Sequence, residues 1–141
     1  MPANLHHAQQ ALAEEIDSAG QIAFVSTIED AVHEADLAID CVPDELESKL
    51  EIFCLLDRMA PPRTVIATPT RQLSIADLAS CTYRADRCVA IAADIRKLAA
   101  GSGREVLLRI TSKTAAGACA LVADFFTRIG FAVTTECDPT E

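Results

Sequence analysis

Apolar residues along this chain fall into short unbroken runs, separated by stretches in which they recur at helical spacing. Leu5, Ala8, Leu12 and Ile16 lie three and four residues apart, with Gln9, Glu14 and Glu15 elsewhere on the surface. That spacing predicts a helix from Leu5 to Ser18, with Gly20 suited to its C-terminal cap. Gln21 to Ser26 (QIAFVS) reads as a short strand. Thr27 can cap a helix from Ile28 to Glu34, with Asp30 placing negative charge in its first turn. Leu37 to Val42 is the next strand, and its continuous apolar run predicts burial on both faces. Glu45 to Met59 is read as a helix with an apolar line of Leu46, Leu50, Phe53, Leu56 and Met59, stopped by Pro61 and Pro62. Thr64 to Thr68 is a strand, and Ser74 caps a short helix from Ile75 to Ser80. Cys88 to Ala93 and Glu105 to Ile110 are two further strands. Thr114 to Ile129 is a long apolar helix ended by Gly130, and Phe131 to Glu136 is a last strand before the polar end DPTE.

Strands separated by helices predict an α/β fold with a mostly parallel sheet and right-handed crossovers. The 141 residues suit one domain, 1–141, without internal repeat, linker or low-complexity stretch. Half of the residues are hydrophobic, which supports a packed core. Aromatic residues are few (five Phe, Tyr83 and no Trp), which disfavours base-stacking or sugar-stacking surfaces. A net charge of −9 argues against nucleic acid and anionic membranes as partners, because both select clustered Lys and Arg. No basic start precedes an apolar run, and no apolar run nears the roughly twenty residues of a membrane span. The six cysteines form no CxxC and no zinc spacing. They are expected to be reduced and mostly buried in a cytoplasmic protein, with Cys41 and Cys88 inside strands and Cys54 and Cys119 inside helices.

A dinucleotide site needs a strand, a G-x-G-x-x-G turn and a helix whose N-terminus faces the pyrophosphate. Gly101-Ser102-Gly103 follows a loop and leads into a strand, so it is not read as that turn. His6 and His7 are consecutive on a helix and point apart, and His33 stands beside Glu34 as a solvated pair. None has a paired nucleophile, so no catalytic residue and no metal ligand is assigned. Asp44 and Glu45 stand just beyond the carboxyl end of a strand, where α/β proteins bind ligands. The plainer reading, preferred at this point, is ordinary N-terminal helix charge, with Lys49 pairing Glu45 at i,i+4. Arg71, Arg96, Lys97 and Arg104 can converge on the same end of the sheet to receive an anion. Dispersed surface charge is again the plainer reading.

The stretch from Asp36 to Leu78 carries a resemblance. Asp40-Cys41-Val42-Pro43-Asp44, Leu46 with Lys49, Ala60-Pro61-Pro62, Ala67-Thr68-Pro69-Thr70-Arg71-Gln72 and Leu73-Ser74-Ile75 with Leu78-Ala79 resemble successive motifs of the NAD-binding domain of 3-hydroxyacyl-CoA dehydrogenases. The resemblance runs from about Ile22 onward and weakens towards Cys137. It implies a three-layer Rossmann-like fold lacking the first strand-turn-helix of the dinucleotide motif, in a family whose cofactor is NAD. It also marks departures. Where the family has a His-Phe-Phe-Asn-Pro motif with its general base, this chain has Ala92-Ala93-Asp94-Ile95-Arg96. Where the family has the glutamate that orients this base, the chain offers Leu107 or Leu108. The family's Asn and Ser contacts to cofactor and substrate have become Pro69, Arg71 and Gln72.

Loss of a general base alone costs roughly 10²- to 10⁴-fold in rate. The chain by itself is therefore expected to be inactive and to need no cofactor. Asp44 and Lys49 match positions that lie near cofactor and substrate in the family, and are its surviving cofactor-binding candidates. Two functions follow. One is a non-catalytic module acting by association or by binding a small anion, such as a CoA or nucleotide phosphate. The other is a partial subunit of an NAD-dependent 3-hydroxyacyl-CoA dehydrogenase in fatty-acid metabolism. In the full family fold two more strands lie between QIAFVS and Leu37 to Val42. Without them, either these two strands pair directly or an apolar edge stays open, so a homo-oligomer, most simply a dimer, is expected.

Overall fold

The computed structural model describes residues 21–94, 96 and 104–141. The predicted helix from Leu5 to Ser18, with Gly20, His6 and His7, lies outside them, as do Lys97 and Gly101-Ser102-Gly103. Five strands form one sheet in the order β1 (Leu37–Ile39), β2 (Val65–Pro69), β3 (Cys88–Ile91), β4 (Glu105–Ile110) and β5 (Ala132–Cys137). The pairs β1–β2, β2–β3 and β4–β5 are parallel, and β3–β4 is antiparallel. The helices are α1 (Ile28–Val32), α2 (Leu46–Met59), α3 (Ile75–Ala79) and α4 (Ala116–Arg128), and a 3₁₀ turn (Ala85–Arg87) leads into β3.

The strands' period of two divides the core between the two faces of the sheet. Ala38, Ile66, Cys88 and Ala90 face α1, α2 and α3 and pack with Val32, Phe53, Leu56 and Leu78. Val65, Ala67, Val89, Ile91, Val106 and Leu108 face α4 and pack with Ala118, Val122 and Phe126. This makes three layers, helix on sheet on helix. The reversal at β4 explains the split. A right-handed crossover from a reversed strand, continuing in the same direction across the sheet, must return over the opposite face. So α2 and α3 cover one side and α4 the other.

Local chemistry sets the element ends. Thr27 Oγ1 accepts from Asp30 N at 3.1 Å to start α1, and Ser74 Oγ accepts from Asp77 N at 3.2 Å to start α3. Gly130, at φ +97°, closes α4, and a Cβ there would come within 2.9 Å of the Arg104 guanidinium.

Three expectations are corrected. Gln21 to Ser26 is not a strand. It is exposed except for the half-buried Phe24, with Ile22 47% accessible, and no strand among the described residues lies beside it. Its β-propensity has no ladder to satisfy, so direct pairing with β1 is ruled out and β1 is an edge among the described residues. The thiols are mostly not buried. Cys41 lies beyond β1, and it is exposed together with Cys54 and Cys137. Cys81 and Cys119 are intermediate and only Cys88 is buried, although all six are free. Finally, Leu46 is 48% exposed, and the buried line of α2 runs through Lys49, Phe53 and Leu56 to Ala60. Among the described residues no helix is long and apolar enough to cross a membrane.

Candidate functional site

A crevice of about 450 Å³ opens at the carboxyl ends of β1, β2 and β3. Three connections build it: Asp40 to Asp44 after β1, Pro69 to Arg71 after β2, and Ala93, Asp94 and Arg96 after β3, with Lys49 reaching in from α2. Parallel strands end at a common level, and their loops must diverge to helices, which leaves a gap where ligands bind in such sheets.

Its floor is an ion pair. Asp40 continues the face of Ala38 by the two-residue period and so points towards α2, while Lys49 sits on the buried line of that helix. Lys49 Nζ donates to Asp40 Oδ1 at 2.7 Å, with side-chain exposures of 1% and 2%. The expected pairing of Lys49 with Glu45 is therefore overturned. Asp40 Oδ1 also accepts from Val42 N at 3.3 Å, but Asp40 Oδ2 is buried without a hydrogen-bond partner.

Asp44 has a different task. Its Oδ1 accepts from Thr70 Oγ1 at 2.6 Å and its Oδ2 from Arg71 N at 3.0 Å. Thr70 Oγ1 in turn accepts from Leu73 N at 3.1 Å. Asp44 thereby fixes the loop that presents Arg71, and both carboxylate oxygens are occupied. Glu45 is the N-cap of α2 without a side-chain capping bond.

The structure brings Asp44, Lys49, Arg71 and Arg96 to one crevice. Arg104 is not among the lining residues and stands beside Gly130 instead. His33 is exposed at the C-terminal cap of α1, its Nδ1 3.0 Å from Asp30 O, and among the described residues no histidine lines the crevice. Ala92 N donates to Leu107 O at 2.8 Å, and Leu108 is fully buried, so hydrocarbon occupies that register of β4. Burial, and secondarily the Asp40 carboxylate, push the Cys41 thiol up, while Lys49 opposes them. A thiol held protonated is a poor nucleophile.

Sequence reasoning missed Asp40 as a site residue. The signal was there: an acid ending a buried strand, with a lysine nine positions later at i−4 from Phe53 on the apolar stripe of a helix. Among the described residues no group of three or more His, Cys, Asp or Glu is placed to hold a metal ion.

Residues 3–93 match the profile of the family described as "3-hydroxyacyl-CoA dehydrogenase, NAD binding domain". A probable 3-hydroxybutyryl-CoA dehydrogenase of Bacillus subtilis is 36% identical over 69 residues, covering 49% of this chain and 24% of the relative. The mitochondrial hydroxyacyl-coenzyme A dehydrogenase of Sus scrofa is 38% identical over 69 residues, covering 47% of this chain and 22% of the relative. The chain thus spans about a quarter of the length of these curated relatives. Among solved structures, an NAD-dependent pyridine-carboxylate 5-dehydrogenase superposes with a TM-score of 0.79 at 23% identity, covering 98% of this chain and 48% of that one. A 3-hydroxyacyl-CoA dehydrogenase of Archaeoglobus fulgidus gives a TM-score of 0.77 at 21% identity, covering 95% and 45%. The fold is Rossmann-like, with a five-stranded, mostly parallel sheet.

Proposed function

The chain belongs to the 3-hydroxyacyl-CoA dehydrogenase NAD-binding domain family, and from that premise we propose that it works as a binding module, without turnover of its own. Its ligand is a small anion, such as the phosphate of a CoA-like or nucleotide-like molecule, received in the crevice at the carboxyl ends of β1 to β3. One observation carries this reading: Arg71 and Arg96 line a crevice to which, among the described residues, no imidazole contributes. Guanidinium forks match phosphate and carboxylate oxygens.

NAD is the cofactor named in the family's description. The described residues do not fit a whole dinucleotide. Among the described residues no G-x-G-x-x-G turn joins a strand to a helix N-terminus, so they offer no cradle for a pyrophosphate. Gly117 opens α4 at the other end of the sheet. A Cβ there would meet open space, so no close backbone approach requires that glycine.

The reading is tested by calorimetry on the unmodified chain with inorganic phosphate, CoA and NADH, together with NADH oxidation in the presence of acetoacetyl-CoA. The expected outcome is phosphate and CoA binding, weakened about tenfold or more in Arg71→Ala, with no NADH consumption. Silence for every ligand, or steady oxidation of NADH by this chain alone, overturns it. A partial dehydrogenase subunit is the second reading, supported by the 36% identity to a probable 3-hydroxybutyryl-CoA dehydrogenase. It predicts NADH consumption only when a second polypeptide is added. Association through the β1 edge belongs to the same proposal as the binding role, with a second copy of the chain as partner.

A further inference from the structure

Two cysteine thiols meet where α2 packs against the turn that follows α3. Cys54 lies in α2 and is exposed, and Cys81, just beyond α3, is half-buried. Cys54 Sγ lies 3.9 Å from the carbonyl oxygen of Cys81. Cys81 Sγ lies 4.0 Å from the carbonyl oxygen of Leu50, the one that an α-helix pairs with the N–H of Cys54. Each thiol therefore sits against the stretch of backbone that carries the other. Burial first, and then a hydrogen bond to Cys54 and its charge, push the Cys81 thiol up to about 12, a separate sign that sulfur faces sulfur.

The two stretches of backbone are pinned together. Asp57, three residues past Cys54 in α2, accepts from Tyr83 N at 3.0 Å and from Arg84 Nε at 2.8 Å. Thr82 N donates to Ala79 O at 3.0 Å, which holds Cys81 at the end of α3. Cys88 is the third cysteine of this region. It is fully buried, its Sγ 3.3 Å from Arg84 O and 3.7 Å from Thr82 Oγ1, and so it is closed to an oxidant.

We propose that Cys54 and Cys81 form a modification site, at which a small disulfide oxidant such as glutathione disulfide joins them into one covalent bond between α2 and the turn after α3. Cys54, the accessible thiol, loses its proton and attacks one sulfur of the oxidant. A mixed disulfide forms and one glutathione thiolate leaves. Cys81, as thiolate, then attacks the Cys54 sulfur and expels the second glutathione thiolate. The two protein thiols are oxidised, the oxidant's S–S bond is reduced to two thiols, and the two protons end on the glutathiones. Because Cys81 gives up its proton reluctantly, closure is the slow step. The same property makes Cys81 a poor leaving group, so the bond resists reduction once made. Joining residues 27 apart also restricts the unfolded chain. Neither cysteine lines the crevice, so the site does not depend on what the crevice binds.

The test equilibrates the unmodified chain with reduced and oxidised glutathione, the reduced form in roughly tenfold excess so that isolated thiols stay largely free. The chain is then quenched, unfolded and alkylated, and its peptides are analysed by mass spectrometry. The expected result is a linked Cys54–Cys81 peptide pair, with the other four of the six cysteines alkylated. The melting temperature should rise by about 5 °C or more over that of the reduced chain. Cys54→Ser is expected to lose both the link and the rise, whereas Cys137→Ser, at another exposed thiol, keeps both. The unmodified chain alone decides the matter if Cys54→Ser does not fold. Alkylation of all six cysteines, glutathione retained on Cys54 without closure, or a link from either cysteine to Cys88 overturns the proposal. A link that leaves the melting temperature unchanged or lowers it also overturns it, because the sulfurs would then meet only by distorting the fold.

Discussion

Lys49 shows how a charged side chain can be held inside a core. The Asp40 carboxylate and the Lys49 ammonium are both withdrawn from water, and their 2.7 Å contact offsets a desolvation cost that neither could carry alone. Lys49→Ala strands a buried carboxylate. Urea denaturation should show a loss of about 3–5 kcal/mol, and a loss below about 1 kcal/mol would mean the pair is far better solvated than its burial indicates. Arg84 is the second such residue. Its guanidinium meets Asp57 Oδ1 at 2.8 Å and the carbonyl oxygens of Asp57, Ala60, Pro61 and Thr64, tying the end of α2 to the start of β2. A lysine cannot reproduce that planar fork. Arg84→Lys is therefore expected to lower stability by about 2–4 kcal/mol in the same assay, and a stability equal to that of the parent would refute the assignment. Neither residue was legible as buried from the sequence, because charge predicts exposure when residues are taken singly. Only the position of Lys49 on the stripe of Phe53 and Leu56 contradicted that rule, and the competing i,i+4 partner Glu45 masked it.

Elements with strong periodicity were read close to their observed bounds, and the failures lie where an element depends on a neighbour. Glu105–Ile110 was found as predicted, and α2 and α4 differ from expectation by one or two residues at their ends. Gln21 to Ser26 has the composition of a strand and no ladder, a fact that no local pattern can contain. The join between α3 and β5 is also non-local. Asp138, just beyond β5, accepts from Ser74 Oγ at 2.8 Å and Ala76 N at 3.0 Å at the start of α3, and from Thr140 N and Oγ1. Burial by itself would raise this carboxyl. The four hydrogen bonds, led by that of Ala76, outweigh it and bring the pKa down to about 2 from an ordinary 3.8. A carboxyl whose folded value is depressed adds stability that is complete above the unfolded value and fades as pH falls towards the folded one. The contribution is on the order of 2 kcal/mol at neutral pH. Asp138→Asn should therefore lower stability at pH 7, and the gap between variant and parent should narrow from about pH 4 down to pH 2. A gap that stays constant across that range would show that the carboxylate's charge is not what matters.

At the scale of the molecule, both margins of the sheet are open among the described residues, β5 on one side and the apolar β1 on the other. Among the described residues β1 pairs only with β2, and three residues of apolar strand, Leu37–Ile39, form its outer edge. Beside that edge a groove of about 340 Å³ is lined by Ile28, Ala31, Val32, Leu37, Ile39 and Ile52, with Asp40 and Cys41 also on its wall. Unpaired strand edges recruit further strands, and a self-complementary twofold contact between like edges is the simplest way for one chain to close its own. Light scattering after size exclusion, at tens of micromolar chain, should give about twice 15.1 kDa. Ala31 is exposed and lines the groove, so Ala31→Arg places a charge in the contact without touching the core. That variant should elute as a single chain while keeping the circular dichroism spectrum of the parent. If the unmodified chain already runs at the mass of one copy, the edge is closed in some other way and the dimer is wrong. If instead Ala31→Arg remains dimeric, the copies meet through a different face, and the groove beside β1 loses its role.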